Sequence, residues 1–250
     1  MTPEVTVCPG ADALADTAAE RIVALAAAAI GARGRFVLAL SGGSTPRETY
    51  QRLGAPPLSA RVPWARVHVV WGDERSVPPD DAASNYAMAR RALLDRVPIP
   101  ATQVHRIEGE LDPALAAARY EAALRQLLGT PQGPPRRGPG AAIDLVLLGL
   151  GEDGHTASLF PGSAALGETG RWVVPVQAPV VPTSRVTLTP PVITAADEIL
   201  FLVSGATKAG ILGRVLDRAP RAPEVPARSV ARAGNRVRWL VDAAAAAALI

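Results

Sequence analysis

Short apolar runs punctuate the chain at residues 36–40, 67–71, 143–148 and 199–203, and within them polar residues scarcely alternate with apolar ones. Strands of this kind belong to a parallel sheet covered on both faces, because a half-exposed strand alternates. Between the runs, apolar residues return at every third or fourth position. Leu14, Ala18, Ile22, Leu25 and Ala29 predict a helix capped by Asp12 and ended at Gly31. Ser84-Asn85-Tyr86 opens a second helix that runs to about residue 95. Asp112 caps an Ala-rich helix over 113–128, with Leu115, Arg119, Leu124 and Leu128 near one face, and a further helix covers 207–216. Residues 172–177 read as a strand, and Pro175 inside it predicts a sheet edge. Strands that alternate with helices in this way define an α/β class with a mostly parallel sheet.

Composition narrows the setting. Hydrophobic residues at 48% and charged residues at 20% are ordinary for a globular chain. The longest apolar runs, 22–30 and 243–250, are too short for a bilayer, and Thr2, Pro3 and Glu4 stand where an export signal carries basic residues. The single Cys8 excludes an internal disulfide, so a cytoplasmic location is expected. Formal charge is only +3. Arginines between Arg214 and Arg238 outnumber Asp217 and Glu224, but no aromatic residue interleaves before Trp239. That segment reads as a solvated face, and neither nucleic acid nor membrane is an expected partner. A chain of 250 residues fits one domain over 1–250, with the Gly- and Pro-rich stretch 129–142 as a flexible loop inside it.

The candidate chemistry collects where the strands end. After 36–40 come Ser41, Gly42, Gly43, Ser44, Thr45 and Pro46, with Thr45 and Glu48 in a capping-box pattern and Pro46 at the first helical position. A Gly-rich turn that feeds a helix N-terminus offers free N–H groups and hydroxyls to an anion. After 67–71 come Asp73, Glu74 and Arg75, which form either a solvent-facing corner or a site with acid–base and anion-binding groups. His68 and His105 are read as structural.

The loop after 143–148 contains Gly149, Gly151, Glu152, Asp153, Gly154 and His155. Ligands of open α/β sheets bind at this carboxyl edge, and His155 is the side chain there that titrates near neutral pH, so a proton-transfer site is expected. The glycines also spell the dinucleotide fingerprint Gly-x-Gly-x-x-Gly. Glu152 and Asp153 would repel a pyrophosphate, Pro161 and Gly162 leave little room for the required helix, and Glu168 follows no second strand. A nicotinamide cofactor is therefore disfavoured. Lys208, at a strand end and in the first turn of a helix, is the only lysine among 26 Lys and Arg residues. A lone lysine there points to an anion that needs a compact ammonium.

Taken in order, Ser41-Gly-Gly-Ser-Thr-Pro46, Trp71-Gly-Asp-Glu-Arg75, Ser84-Asn-Tyr86, Gly149-Leu-Gly-Glu-Asp-Gly-His-Thr-Ala-Ser-Leu-Phe-Pro161, Ser184-Arg-Val-Thr187 and Trp239-Leu-Val-Asp242 resemble the 6-phosphogluconolactonases over nearly the whole chain. More distantly they resemble the glucosamine-6-phosphate isomerase/deaminase group of the same fold. That group continues after Asp-Gly-His with Phe-Asn-Glu where this chain has Ser158-Leu159-Phe160. The resemblance implies a three-layer, Rossmann-like fold with helices on both faces of the sheet. It also implies hydrolysis of 6-phospho-D-glucono-1,5-lactone in the oxidative pentose phosphate pathway, with no metal or organic cofactor.

On this reading His155 activates water, and Asp153 or Asp73 orients its imidazole. Ser41, Gly42, Gly43, Ser44, Thr45, Arg75, Gly151, Arg185 and Lys208 bind the substrate and its phosphate, with Gly42, Gly43 or Gly151 facing the oxyanion. The expected partner is a small sugar-phosphate lactone, and the expected assembly is a monomer or weak homo-oligomer. The alternatives are a deaminase/isomerase-like enzyme and a non-catalytic sugar-phosphate sensor.

Overall fold

The structure is a computed structural model and describes residues 4–130, 132–135, 142–217 and 225–249. The chain opens with β1 (Glu4–Cys8), α1 (Ala11–Arg33), β2 (Phe36–Leu40) and α2 (Ser44–Leu53). Next come β3 (Val67–Trp71), β4 (Asp73–Arg75), α3 (Asn85–Ala92) and α4 (Pro113–Leu127). The second half holds β5 (Leu145–Leu148), β6 (Val173–Gln177), β7 (Ser184–Leu188), α5 (Pro190–Ala195), β8 (Glu198–Val203), α6 (Ala209–Leu216), α7 (Pro226–Ala231) and β9 (Val237–Asp242).

Six strands form one parallel sheet in the order β1-β9-β8-β5-β2-β3. Every residue of β2, β5 and β8 is buried, as strands covered by helices on both faces must be. Phe201 on β8 stacks on Trp239 of β9 with ring centroids 3.9 Å apart, which fills the middle of the core. This is the expected Rossmann-like α/β fold. Among the described residues no helix is long and apolar enough to cross a membrane.

A second, antiparallel sheet joins β4, β7 and β6, and the sequence pattern does not reveal it. It pairs Asp73 with Thr187 and Arg75 with Arg185, across more than a hundred residues of chain, and β4 is too short to show a pattern. Pro175 does lie on an edge strand, because β6 ends this small sheet.

Several local expectations shift. Asp12 lies inside the first turn of α1, whose cap is Gly10, and the helix runs through Gly31 to end where Gly34 turns left-handed at φ 75°. Ala neighbours carry the helix past Gly31. The capping box of Thr45 and Glu48 does not form: α2 begins at Ser44, Gly43 is its cap, and no side chain caps it. Asp112 does cap α4, accepting from the N–H groups of Ala114 (3.0 Å) and Leu115 (3.1 Å). The buried face of α4 is Ala116, Ala117, Tyr120 and Leu124, while Leu115 is 47% exposed, since it lies a residue or more off the stripe that ends at Leu124. The helix expected over 207–216 starts as a 3-10 turn at Ala206–Lys208 before α6. Within the expected loop 129–142, residues 131 and 136–141 lie outside the described residues. In the Arg-rich segment, Arg218, Arg221 and Glu224 do as well.

Candidate active site

The carboxyl ends of β2, β3, β5 and β8 open onto one cleft of about 280 Å³. At each exit a side chain takes over the backbone hydrogen bonding that the strand ladder gives up. At β2, the buried Tyr50 hydroxyl accepts from the Ser41 N–H and donates to the Ser41 carbonyl, both at 2.9 Å. At β3, Tyr120 does the same for Trp71, at 2.6 and 2.9 Å. At β5, the Thr156 hydroxyl donates to the Gly149 carbonyl (2.9 Å). At β8, the Asp242 carboxylate accepts from the Ser204 hydroxyl (2.5 Å) and the Gly205 N–H (3.0 Å). Burial works to raise the Asp242 carboxyl. The bonds from Ser204, Ala245 and Gly205 outweigh it and leave the group below the usual carboxylate range.

The β2 exit supplies Ser41, Gly42, Gly43, Ser44 and Thr45 to the cleft wall. The first N–H groups of α2 have no intrahelical acceptor, and among the described residues no side chain caps them. Ser41 is 5% exposed and its hydroxyl oxygen has no hydrogen-bond partner among the described residues.

The three adjacent charges after β3 divide between two jobs. Glu74 turns inward and caps α3, accepting from the N–H groups of Asn85 and Tyr86 at 2.7 Å and from the Ser84 hydroxyl at 3.0 Å. Burial raises its pKa and the nearby Asp73 charge adds to this, while the N–H bonds of Tyr86, Asn85 and Arg75 offset part of the rise. Asp73 faces the cleft. It accepts from the buried Ser158 hydroxyl (2.6 Å) and from Asn85 Nδ2 (3.3 Å).

Arg75 and Arg185 stand directly opposite each other on β4 and β7, and both line the cleft. Among the described residues neither forms an ion pair with a carboxylate, and Arg75 Nε is buried without a partner. Burial lowers the Arg185 pKa, the Arg75 charge lowers it further, and Asp73 and Glu74 act in the opposite sense. Like charges placed opposite one another on paired strands are destabilising unless an anion lies between them. Arg185 is also held over the Phe160 ring, 5.5 Å from its centroid, with Nε donating to the Pro182 carbonyl (3.0 Å).

The loop after β5 folds back on itself. The Gly151 N–H donates to the His155 carbonyl (2.9 Å), and Asp153 Oδ1 receives the His155 N–H at 3.0 Å and meets imidazole Nδ1 at 2.6 Å. A side chain at position 151 would meet that ring, since a Cβ there would lie 2.1 Å from His155 Nδ1. Burial works to raise the Asp153 pKa, and the His155 N–H, charge and ring together leave it lowered. A carboxylate at Nδ1 fixes the proton on that nitrogen and leaves Nε2 as the basic one. The dinucleotide fingerprint is not used here, because no helix follows Gly149–Gly154 and the next element is a 3-10 turn at Ala164–Gly167.

Every residue given a catalytic or binding role from the sequence lines the cleft except Asp153, which stands behind His155, while Glu74 of the Asp73–Arg75 cluster turns away to α3. Of the two carboxylates considered for His155, Asp153 is the one in contact, while Asp73 is engaged by Ser158 and Asn85. The Gly151 N–H is committed to the His155 carbonyl, while among the described residues the Gly42 and Gly43 N–H groups have no backbone acceptor. Lys208 Nζ enters from the β8 exit, 3.8 Å from Glu152. Asn85, Thr156 and Ser204 also line the cleft without a role legible from the sequence, although Asn85 and Thr156 belong to the Ser84–Tyr86 and Gly149–Pro161 motifs. Among the described residues no group of three or more His, Cys, Asp or Glu is placed to hold a metal ion.

A doubly wound α/β chain with two arginines, a helix N-terminus and one carboxylate-bound imidazole in a single cleft belongs to the class of α/β enzymes whose sites sit at the carboxyl edge of the sheet. More narrowly, the chain belongs to the family described as glucosamine-6-phosphate isomerases/6-phosphogluconolactonase, whose sequence model matches residues 9–239. It is 41% identical over 252 residues to the 6-phosphogluconolactonase of Nostoc sp., with 100% of this chain and 99% of that protein covered. It is 38% identical over 253 residues to the 6-phosphogluconolactonase of Mycobacterium tuberculosis, at 100% and 99% coverage. The solved 6-phosphogluconolactonase from Trypanosoma cruzi superposes with a TM-score of 0.86 at 34% identity, covering 100% of this chain and 98% of that one. A monomeric glucosamine-6-phosphate deaminase, at 23% identity and a TM-score of 0.78 over 98% of this chain and 99% of that one, shares the fold.

Proposed function

We propose that the chain hydrolyses 6-phospho-D-glucono-1,5-lactone to 6-phospho-D-gluconate, the lactone-opening step of the oxidative pentose phosphate pathway. The observation that carries this reading is the pairing of a single oriented base, His155 on Asp153, with the unpaired Arg75 and Arg185 in the same cleft. The names of the relatives support it. Arg185, Arg75, Lys208, Ser41 and the N-terminus of α2 hold the phosphate dianion, which places the lactone carbonyl beside His155. Nε2 of His155 takes a proton from water as the water oxygen bonds to the carbonyl carbon. The oxyanion so formed faces the N–H groups of Gly42 and Gly43. When it collapses, the bond from carbon to ring oxygen breaks and the proton on Nε2 passes to that oxygen, giving the free hydroxyl and the acid.

General base catalysis of this kind contributes about 10² to 10⁴-fold, and the remainder comes from holding the carbonyl near the water. The deaminase alternative is tested in the same preparation. Freshly made phosphorylated lactone should open faster than its spontaneous rate, and glucosamine 6-phosphate should release no ammonia. Ammonia release without lactone opening would replace this reading with the deaminase one.

A further inference from the structure

We infer that Tyr50 is a positioning residue of the phosphate subsite, acting through Ser41; this rests on the reading of the cleft given above. The parallel ladder of β2 ends at Leu40, whose carbonyl accepts from the Gly72 N–H at 2.9 Å. Ser41 follows with its N–H and C=O buried and no strand to pair with. The Tyr50 hydroxyl satisfies both groups, accepting from one and donating to the other. Burial, the largest influence, raises the Tyr50 pKa and outweighs the lowering from the Ser41 bonds, so the phenol keeps the one proton it has, and that proton is committed to the Ser41 carbonyl. Tyr50 therefore has nothing left to donate to a ligand. Its effect is on Ser41, whose side-chain hydroxyl is left buried, unpartnered and on the cleft wall.

The placement of Tyr50 in the helix gives the contact its meaning. Tyr50 belongs to α2, the helix whose first residues Ser44 and Thr45 line the same cleft. Its phenol ties the strand exit to the body of that helix. The Ser41 hydroxyl and the N–H groups at the helix start are thereby held at a fixed separation, so that together they meet the oxygens of one phosphate. Tyr120 offers a control built into the fold. It makes the same two bonds to Trp71 from α4, is equally buried, and serves a residue that does not line the cleft.

The test compares Tyr50→Phe, Tyr120→Phe and Ser41→Ala with the wild-type chain. Calorimetry with inorganic phosphate is the binding probe, and KM and kcat are measured on 6-phosphogluconolactone and on the phosphate-free lactone. Both tyrosine variants should lose similar stability in urea. Only Tyr50→Phe should weaken phosphate binding, by roughly 5- to 10-fold, the size of one neutral hydrogen bond. The same variant should raise KM for the phosphorylated lactone, leave its kcat within about twofold, and leave the phosphate-free lactone unaffected. Combined with Ser41→Ala it should bind phosphate no more weakly than Ser41→Ala alone, because both changes remove one interaction.

Unchanged phosphate affinity in Tyr50→Phe, an equal loss in Tyr120→Phe, or additive losses in the double variant would each overturn the positioning role and leave the lactonase reading standing. A wild-type chain that binds no phosphate would overturn both. Should Tyr50→Phe not fold, Ser41→Ala carries the test, and unchanged phosphate affinity there overturns the inference.

Discussion

Arg185 shows how much of a residue's meaning comes from its neighbour. In the sequence it is one arginine among many, singled out by the Ser-Arg-Val-Thr motif. In the structure it stands opposite Arg75, short of water, with its pKa lowered by burial and then by that second cation. On the proposed reading, a phosphate bound between the two cations would relieve this repulsion. Arg185→Ala should therefore lower kcat/KM for the phosphorylated lactone by roughly 10- to 100-fold, from the ~1.5 to 3 kcal/mol of a charged hydrogen bond, chiefly through KM. Kinetics on a lactone lacking the phosphate give the comparison, and an equal loss on both substrates would contradict a phosphate role. The neighbouring Asp73, Glu74 and Arg75 could not be sorted from spacing alone. Alternate residues of a strand face opposite ways, so Glu74 caps α3 while Asp73 and Arg75 reach the cleft. That assignment needs the strand, and a strand of three residues leaves no periodic trace.

Among the elements, those with a long or wholly apolar pattern were legible: β2 and β3 lie where the runs placed them, and α4 begins at its expected cap. Those defined by distant partners were not. β1 and β9 lie at one side of the parallel sheet, and β4 has its strand identity only from pairing with β7. The other side of that sheet is β3, and His68 on β3 meets His105 of the adjoining extended segment with Nδ1 and Nε2 3.2 Å apart. Burial lowers the pKa of both imidazoles, and His105 and Arg35 add to the lowering at His68. Well above the free imidazole's midpoint of about 6.5 both rings are neutral whether the chain is folded or not. As pH falls below that, the unfolded chain takes up protons that the folded chain refuses, so folding stability declines. Urea unfolding at pH 7.5 and 5.5 should show this decline in the wild type and a shallower one in His105→Gln; the same decline in both would contradict it.

At the scale of the whole molecule, the parallel sheet works as a frame that brings four strand exits to one edge, each latched by a side chain from elsewhere in the chain. The sequence showed that loops rich in Gly, Ser and charge follow apolar runs, and the ordered motifs placed the chain in its family. It did not show the latches, because Tyr50, Tyr120 and Asp242 act on residues brought near them only by folding. A ligand that bridges several exits should stabilise the fold. At a hundred times its Kd, 6-phosphogluconate contributes about 2.7 kcal/mol, which is a rise in Tm of roughly 5 to 11 °C for a chain of this size. Gluconate at the same concentration should give little, and an equal shift with both would argue against a phosphate subsite. The most direct test of the account is the rate of opening of freshly prepared 6-phosphogluconolactone, corrected for its spontaneous opening, in the wild type and in His155→Ala. The wild type should open the lactone far above background, and the excess should fall by about 10² to 10⁴-fold in the variant with KM nearly unchanged; a variant as fast as the wild type would rule out His155 as the base.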